Sequence, residues 1–191
     1  MPFDEAGEDP EFEHFRAELI EIVEARDFKA LKGKMHPEII VSFGGDPGWE
    51  AAVAAMSGEP ERWKILGRIL RKGGKFRIEG NAAGKQVKAF YAPYTFFAEI
   101  PGADAVVVAE RDVEVYAKPS TRSKIMARLT NEVVEAVPRD RADNLTWFEV
   151  KLPSSEQGFV QAGDVSSSGD LRAGFVKHDG KWMMHVFAGG D

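Results

Sequence analysis

The stretch from Val106 to Val165 constrains this chain more than any other. It is a string of short apolar-alternating runs cut by turn residues. Apolar side chains alternate at Val113 and Val115, at Val133 and Val137, and from Trp147-Phe148 through Val150 to Leu152. A side-chain period of two places successive residues on opposite faces of a strand, and β-branched and aromatic residues suit that pleated surface. With Pro, Ser and Gly breaks between the runs, the pattern predicts a compact all-β unit.

The residues at Val113-x-Val115, Pro119-Ser120-Thr121 with Ile125 and Leu129, Val133-Val134, Trp147-Phe148-x-Val150-x-Leu152 and Gly158-Phe159-Val160 resemble the bacterial SH3 (SH3b) domain family, over about a third of the chain. One departure stands out. The family usually places Arg and Gly before the Pro-Ser pair, where this chain has Tyr116 and Lys118. The resemblance implies an SH3-like β-barrel over residues 105–168 that binds peptide or peptidoglycan in the bacterial envelope. Trp147 and Phe159 match positions that usually sit in the barrel core, whereas Tyr116, beside Lys118, is the better surface contact. Tyr116, Lys118 and Trp147 are the ligand candidates of this part.

Outside that stretch the pattern changes. Residues 1–8 read as a loose acidic tail. Asp9-Pro10 offers an N-cap acceptor followed by a residue suited to the first helical position. Phe12, Phe15, Leu19, Ile22 and Val23 follow on one helical face. After a short second helix, His36-Pro37 is expected to end it and Glu38–Phe43 to form a strand. The loop Gly44-Gly45-Asp46-Pro47-Gly48 then leads into Trp49, with Asp46 as a carboxylate and Trp49 as a stacking surface, or simply as a helix start. A helix carrying Trp63, Leu66, Ile69 and Leu70 stops at Gly73-Gly74. Phe90, Tyr91, Tyr94, Phe96 and Phe97 crowd around Pro93, either as a strand broken by an edge or bulge proline or as an aromatic wall; Tyr91 and Tyr94 are candidates on the second reading.

At the C-terminal end, Asp179-Gly180 separates two alternating runs. An Asp-Gly pair there is a strong signal for a two-residue hairpin, because its turn needs positive φ twice. Closing it pairs Phe175 with Met184, Ala173 with Val186 and Lys177 with Trp182, and leaves His185 on the opposite face, a further candidate. His178, just before the turn, is expected to be solvated. A lone hairpin is marginal in water, so this one is expected to return to the N-terminal region. Helices followed by strands and a closing hairpin resemble, at the level of pattern, a cystatin-like or NTF2-like α+β fold. The predicted architecture is therefore α+β, a helix-plus-antiparallel-sheet domain (9–104 plus 169–191) with an inserted SH3-like β-barrel (105–168). The alternative is two consecutive domains, with the hairpin extending the barrel.

Composition narrows the function. With 31 acidic against 25 basic residues the net charge is −6, which argues against nucleic acid as the main partner. The local cluster Arg62, Lys64, Arg68, Arg71, Lys72, Lys75 and Arg77 reads as a solvated helix face, or else as a surface for an anionic partner. There is no cysteine, hence no thiolate chemistry. No apolar run reaches the length of a membrane span. Neither P-loop spacing, a paired metal-ligand motif nor a nucleophile elbow is present, so no cofactor, metal or catalytic residue is expected. The start MPFDEAGEDP is acidic and polar rather than secretory. The resemblance nonetheless implies a periplasmic or envelope location with a trimmed leader, with the cytoplasm as the alternative. The expected function is a non-catalytic envelope protein that binds peptide, peptidoglycan or a protein partner. A small-molecule or hydrolase-like pocket in the α+β domain, for example Asp46 with His185 or Tyr94, and an inhibitor or immunity-type role are the other readings.

Overall fold

The computed structural model describes residues 4–42, 44–45, 47–80, 84–137, 146–167 and 169–189. In chain order the helices are α1 (Pro10–Ala25), α2 (Phe28–Lys32), α3 (Trp49–Gly58) and α4 (Glu61–Arg71). The strands are β1 (Met35–Ile40), β2 (Lys75–Gly80), β3 (Gln86–Ala92), β4 (Val106–Ala109), β5 (Val113–Tyr116), β6 (Ile125–Leu129), β7 (Glu132–Ala136), β8 (Trp147–Lys151), β9 (Gln157–Gln161), β10 (Val165–Ser167), β11 (Arg172–His178) and β12 (Lys181–Ala188). The chain is α+β. It divides into two compact units, Phe3–Tyr94 with Leu171–Asp191, and Thr95–Asp170.

In the first unit a five-stranded sheet has the order β1-β12-β11-β3-β2. Its pairs are antiparallel except β1 with β12, which run parallel. Asp9 caps α1 by accepting a hydrogen bond from the Phe12 amide (3.1 Å), with Pro10 at the first helical position. Phe12, Phe15, Leu19 and Val23 are buried against the sheet. Phe12 is the centre of this core. Its ring lies 4.2 Å from Phe90, 4.9 Å from Trp182, 5.4 Å from Phe175 and 5.6 Å from Phe76 between centroids. The first helix and the last hairpin thus share one apolar cluster.

Several local expectations are corrected. Residues 4–8 are tied down rather than loose: Asp4 pairs with Arg16 (2.7 Å), the Glu5 amide donates to the Gly74 carbonyl (2.9 Å), and the Phe76 amide donates to the Glu5 carboxylate (2.8 Å). The first strand starts at Met35 and runs through Pro37, which β1 tolerates because it is an edge strand with one side free of a ladder. β3 is an interior strand that ends at Ala92, so Pro93 follows it rather than interrupting it. Asp179 and Gly180 both have positive φ (49° and 76°), as the hairpin turn requires. Phe175 pairs with Met184 and Lys177 with Trp182, but Ala173 faces Phe187 and Val186 faces Gly174. An extra residue, His185, bulges out of β12 between Met184 and Val186.

The second unit carries seven antiparallel strands in the order β10-β4-β7-β8-β9-β5-β6. Val107, Ala109, Val113, Val115, Leu129, Val134, Ala136, Val150, Leu152 and Val160 form one buried cluster. All of these residues come from the unit's own strands or the turns beside them, so the sheet coils around its own core. Among the described residues the end strands β10 and β6 do not pair, so the expected closure into a barrel is not made. The inward residue of β7 is Val134, whereas Val133 is over a third exposed.

Candidate functional site

The β-unit holds an open recess of ≈370 Å³ between the start of β5 and the turn Ala162–Asp164 that precedes β10. Four carboxylates line it, from Glu110, Asp112, Glu114 and Asp164, with Arg111, Gln161 and Tyr116. Three of them accept from uncharged side chains. Thr130 donates to Asp112 (2.9 Å), Gln161 to Asp164 (3.2 Å) and Ser166 to Glu110 (3.3 Å). Glu114 pairs with Arg128 at 2.6 Å, and its second oxygen accepts from the Tyr116 hydroxyl at 2.5 Å. That bond, with partial desolvation, raises the Tyr116 pKa, so the phenol stays a donor. The ring itself is buried and stands edge-on to Trp147, 5.5 Å away at 88°. The recess is therefore an acidic, aromatic-backed surface suited to a cationic group.

Of the sequence candidates in this unit, Tyr116 lines the recess and Trp147 backs it. Lys118 is exposed and does not line it; its amide donates to the Ser123 hydroxyl (3.1 Å) in the Pro119-Ser120 turn. The carboxylates were overlooked, although Glu110, Asp112 and Glu114 stand at a period of two opposite the inward Val113 and Val115. That alternation is a legible signal for one acidic strand face.

In the α+β unit a second polar group lies on the sheet face opposite α1. Tyr91 donates to Glu79 (2.9 Å), and its hydroxyl is 3.3 Å from His185 Nε2. Burial, reinforced by Glu79, pushes the Tyr91 phenol up. Burial pushes the His185 imidazole down, against the Gly174 backbone and Glu79, which act the other way. His185 Nδ1 is buried with no hydrogen bond of good geometry. Gly174 makes the arrangement possible: a Cβ there would sit 2.6 Å from Tyr91 Cε1 and 2.9 Å from His185 Cε1. His178 is not simply solvated, since its Nδ1 lies 3.1 Å from His36 Nε2.

Tyr94 is buried at the end of the aromatic stretch. Trp49 opens α3 half-buried, edge-on to Phe28 (6.4 Å) with the Lys32 ammonium 5.4 Å from its ring, which is a packing position. Asp46 lies outside the described residues, so its suggested coupling to His185 or Tyr94 does too. His185 couples instead to Tyr91. Among the described residues no group of three or more His, Asp or Glu side chains is placed to hold a metal ion, and no helix is long and apolar enough to cross a membrane.

No family model, curated protein or solved structure matches this chain.

Proposed function

We propose that this protein is a non-catalytic binding protein of the bacterial envelope whose β-unit docks a cationic segment of a peptide, including the peptide stems of peptidoglycan. The observation that carries this reading is the recess on which the carboxylates of Glu110, Asp112, Glu114 and Asp164 converge, Asp112 and Asp164 being exposed, beside the Tyr116–Trp147 pair. An ammonium or guanidinium entering there meets several carboxylates, while its aliphatic stem lies along the aromatic edge. Exposed pairs contribute only about 0.2–1 kcal/mol each, so the carboxylates supply selectivity and the binding is salt-sensitive. The SH3b-like strand pattern points to the same class of ligand, and the α+β unit serves as the platform for a partner.

The test is co-sedimentation with bacterial sacculi and titration with muropeptides and Lys-containing peptides. Retention at micromolar protein is expected, weakened on the order of tenfold by Glu110→Gln with Asp112→Asn, which removes two carboxylates. Failure to bind either ligand, or unchanged binding by the double variant, refutes the reading.

A further inference from the structure

We propose that the groove between α1 and α4 is a binding site for a phosphate-bearing anion, with Arg26 and Arg68 as its principal ligands. The groove is a recess of ≈280 Å³ with Val23, Trp63 and Gly67 on its floor, Arg26, Lys64, Arg68 and Arg71 around it, and one carboxylate, Glu24, which Arg71 neutralises. Such a concentration of positive charge is unusual in a chain of net charge −6.

The four cations are not equivalent. Arg71 is committed to the fold, since it donates to the Gly67 carbonyl (2.8 Å) and pairs with Glu24. Gly67 has no side chain to obstruct this; a Cβ there would come 3.1 Å from Arg71 Nη1. Lys64 pairs with Glu61 at 2.9 Å. Arg26 and Arg68, by contrast, have neither a hydrogen-bonding nor an ion-pairing side-chain partner among the described residues, and act on Glu61 only at longer range. Both are exposed.

Part of their presence is explained by helix ends. Arg68 lies in the last turn of α4, and Arg26 is the left-handed C-cap of α1, where positive charge is favoured. That account explains each residue alone. It does not explain why two helices bring their spare guanidiniums to one recess beside Lys64. A planar fork with free donors matches the oxygens of a phosphate group and makes charge-assisted, two-point contacts that a lone helix end does not. The buried Trp63 and Val23 beneath exclude water from one side, which strengthens those contacts.

The phosphate could come from a soluble molecule or from a lipid headgroup, and two probes separate them. Inorganic pyrophosphate is titrated into the whole protein by calorimetry and by amide shifts of residues 61–71. Vesicles of phosphatidylglycerol in phosphatidylcholine are tested by co-sedimentation. Binding to at least one probe is expected, with amide shifts confined to the groove. Arg26→Gln with Arg68→Gln should weaken it at least tenfold while the protein keeps its folded circular-dichroism spectrum, and Arg68→Lys should recover only part of the loss. Pyrophosphate alone identifies a soluble ligand, and vesicles alone a headgroup. Absence of binding to both at millimolar phosphate overturns the proposal, as does binding that survives the double variant or is matched by chloride at equal ionic strength.

Discussion

Phe12 is the residue by which the first helix and the last hairpin can be shown to stabilise one another. It is fully buried and touches rings from α1, β2, β3, β11 and β12. Phe12→Ala removes a ring from a close-packed cluster, for which the usual cost is about 3–5 kcal/mol. The aromatic pairs add about 0.5–1.5 kcal/mol beyond area burial, which places this site toward the upper end. The Asp9 cap accepts from the Phe12 amide, not from its side chain, so the helix start survives and the loss reports packing alone. Phe12→Leu, which refills most of the volume, should cost about 1–2 kcal/mol. The assay is urea unfolding followed by native-state hydrogen exchange. The amides of β11 and β12 should lose protection together with those of α1, although the hairpin starts at Arg172, far along the chain from Ala25. A loss under about 1 kcal/mol, or a hairpin that keeps its protection when α1 loses it, would refute the shared-core account.

Two further outcomes can be checked on the same unit. Burial, and for His36 also the neighbouring His178, lowers the folded pKa of both His36 and His185 below the ordinary value of 6.5. The unfolded chain then binds more protons in that window, so stability is full above pH 6.5 and falls as pH drops below it. Glu18, held down by its hydrogen bond from Lys34, loses its contribution only as pH falls below 4.5. Urea midpoints measured from pH 7 to pH 5 should therefore decline, and His36→Gln with His185→Gln should flatten the slope; a flat wild-type profile counts against the assignment. Gly174→Ala drives a methyl into the Tyr91 and His185 rings and should cost about 1–3 kcal/mol, with the Tyr91 share of it absent in a Tyr91→Ala background. Equal costs in the two backgrounds would mean that the clash is not with the Tyr91 ring.

The sequence carried the elements well where chemistry is local. The Asp9-Pro10 start of α1, the Asp179-Gly180 turn and the alternation of Val113 and Val115 each act over a few residues, and each has its expected form. Register beyond the turn was not legible. Nothing in Arg172–Ala188 announces that His185 is extra, because a bulge is decided by what packs across the sheet, here Tyr91 over Gly174. The edge position of β1, which admits Pro37, is likewise a property of the assembled sheet. For the sites the same boundary holds. Tyr116 and Trp147 were visible as aromatics, but the acidic recess exists only once the Ala162–Asp164 turn brings Asp164 beside Glu110–Glu114. The basic cluster was visible as composition. Only the packing of α1 on α4 adds Arg26 and separates spare guanidiniums from committed ones.

The Tyr91–His185 pair is the feature most easily mistaken for catalytic machinery, and its hydrogen bonds argue for a structural role. The phenol has one proton, and Glu79 receives it at 2.9 Å. His185 Nε2 lies 3.3 Å from the same phenol oxygen, so that nitrogen is engaged within the sheet. His185 Nδ1 is buried, so a substrate in solvent does not reach it. The phenol is pushed up and the imidazole down, so both stay uncharged near neutral pH. A general acid or base needs a pKa near the working pH and a reachable atom. Here the available atoms are turned on one another. Their effect is to fill the space above Gly174 and hold the β12 bulge in register, which keeps Met184 and Phe187 aimed at the core that Phe12 completes.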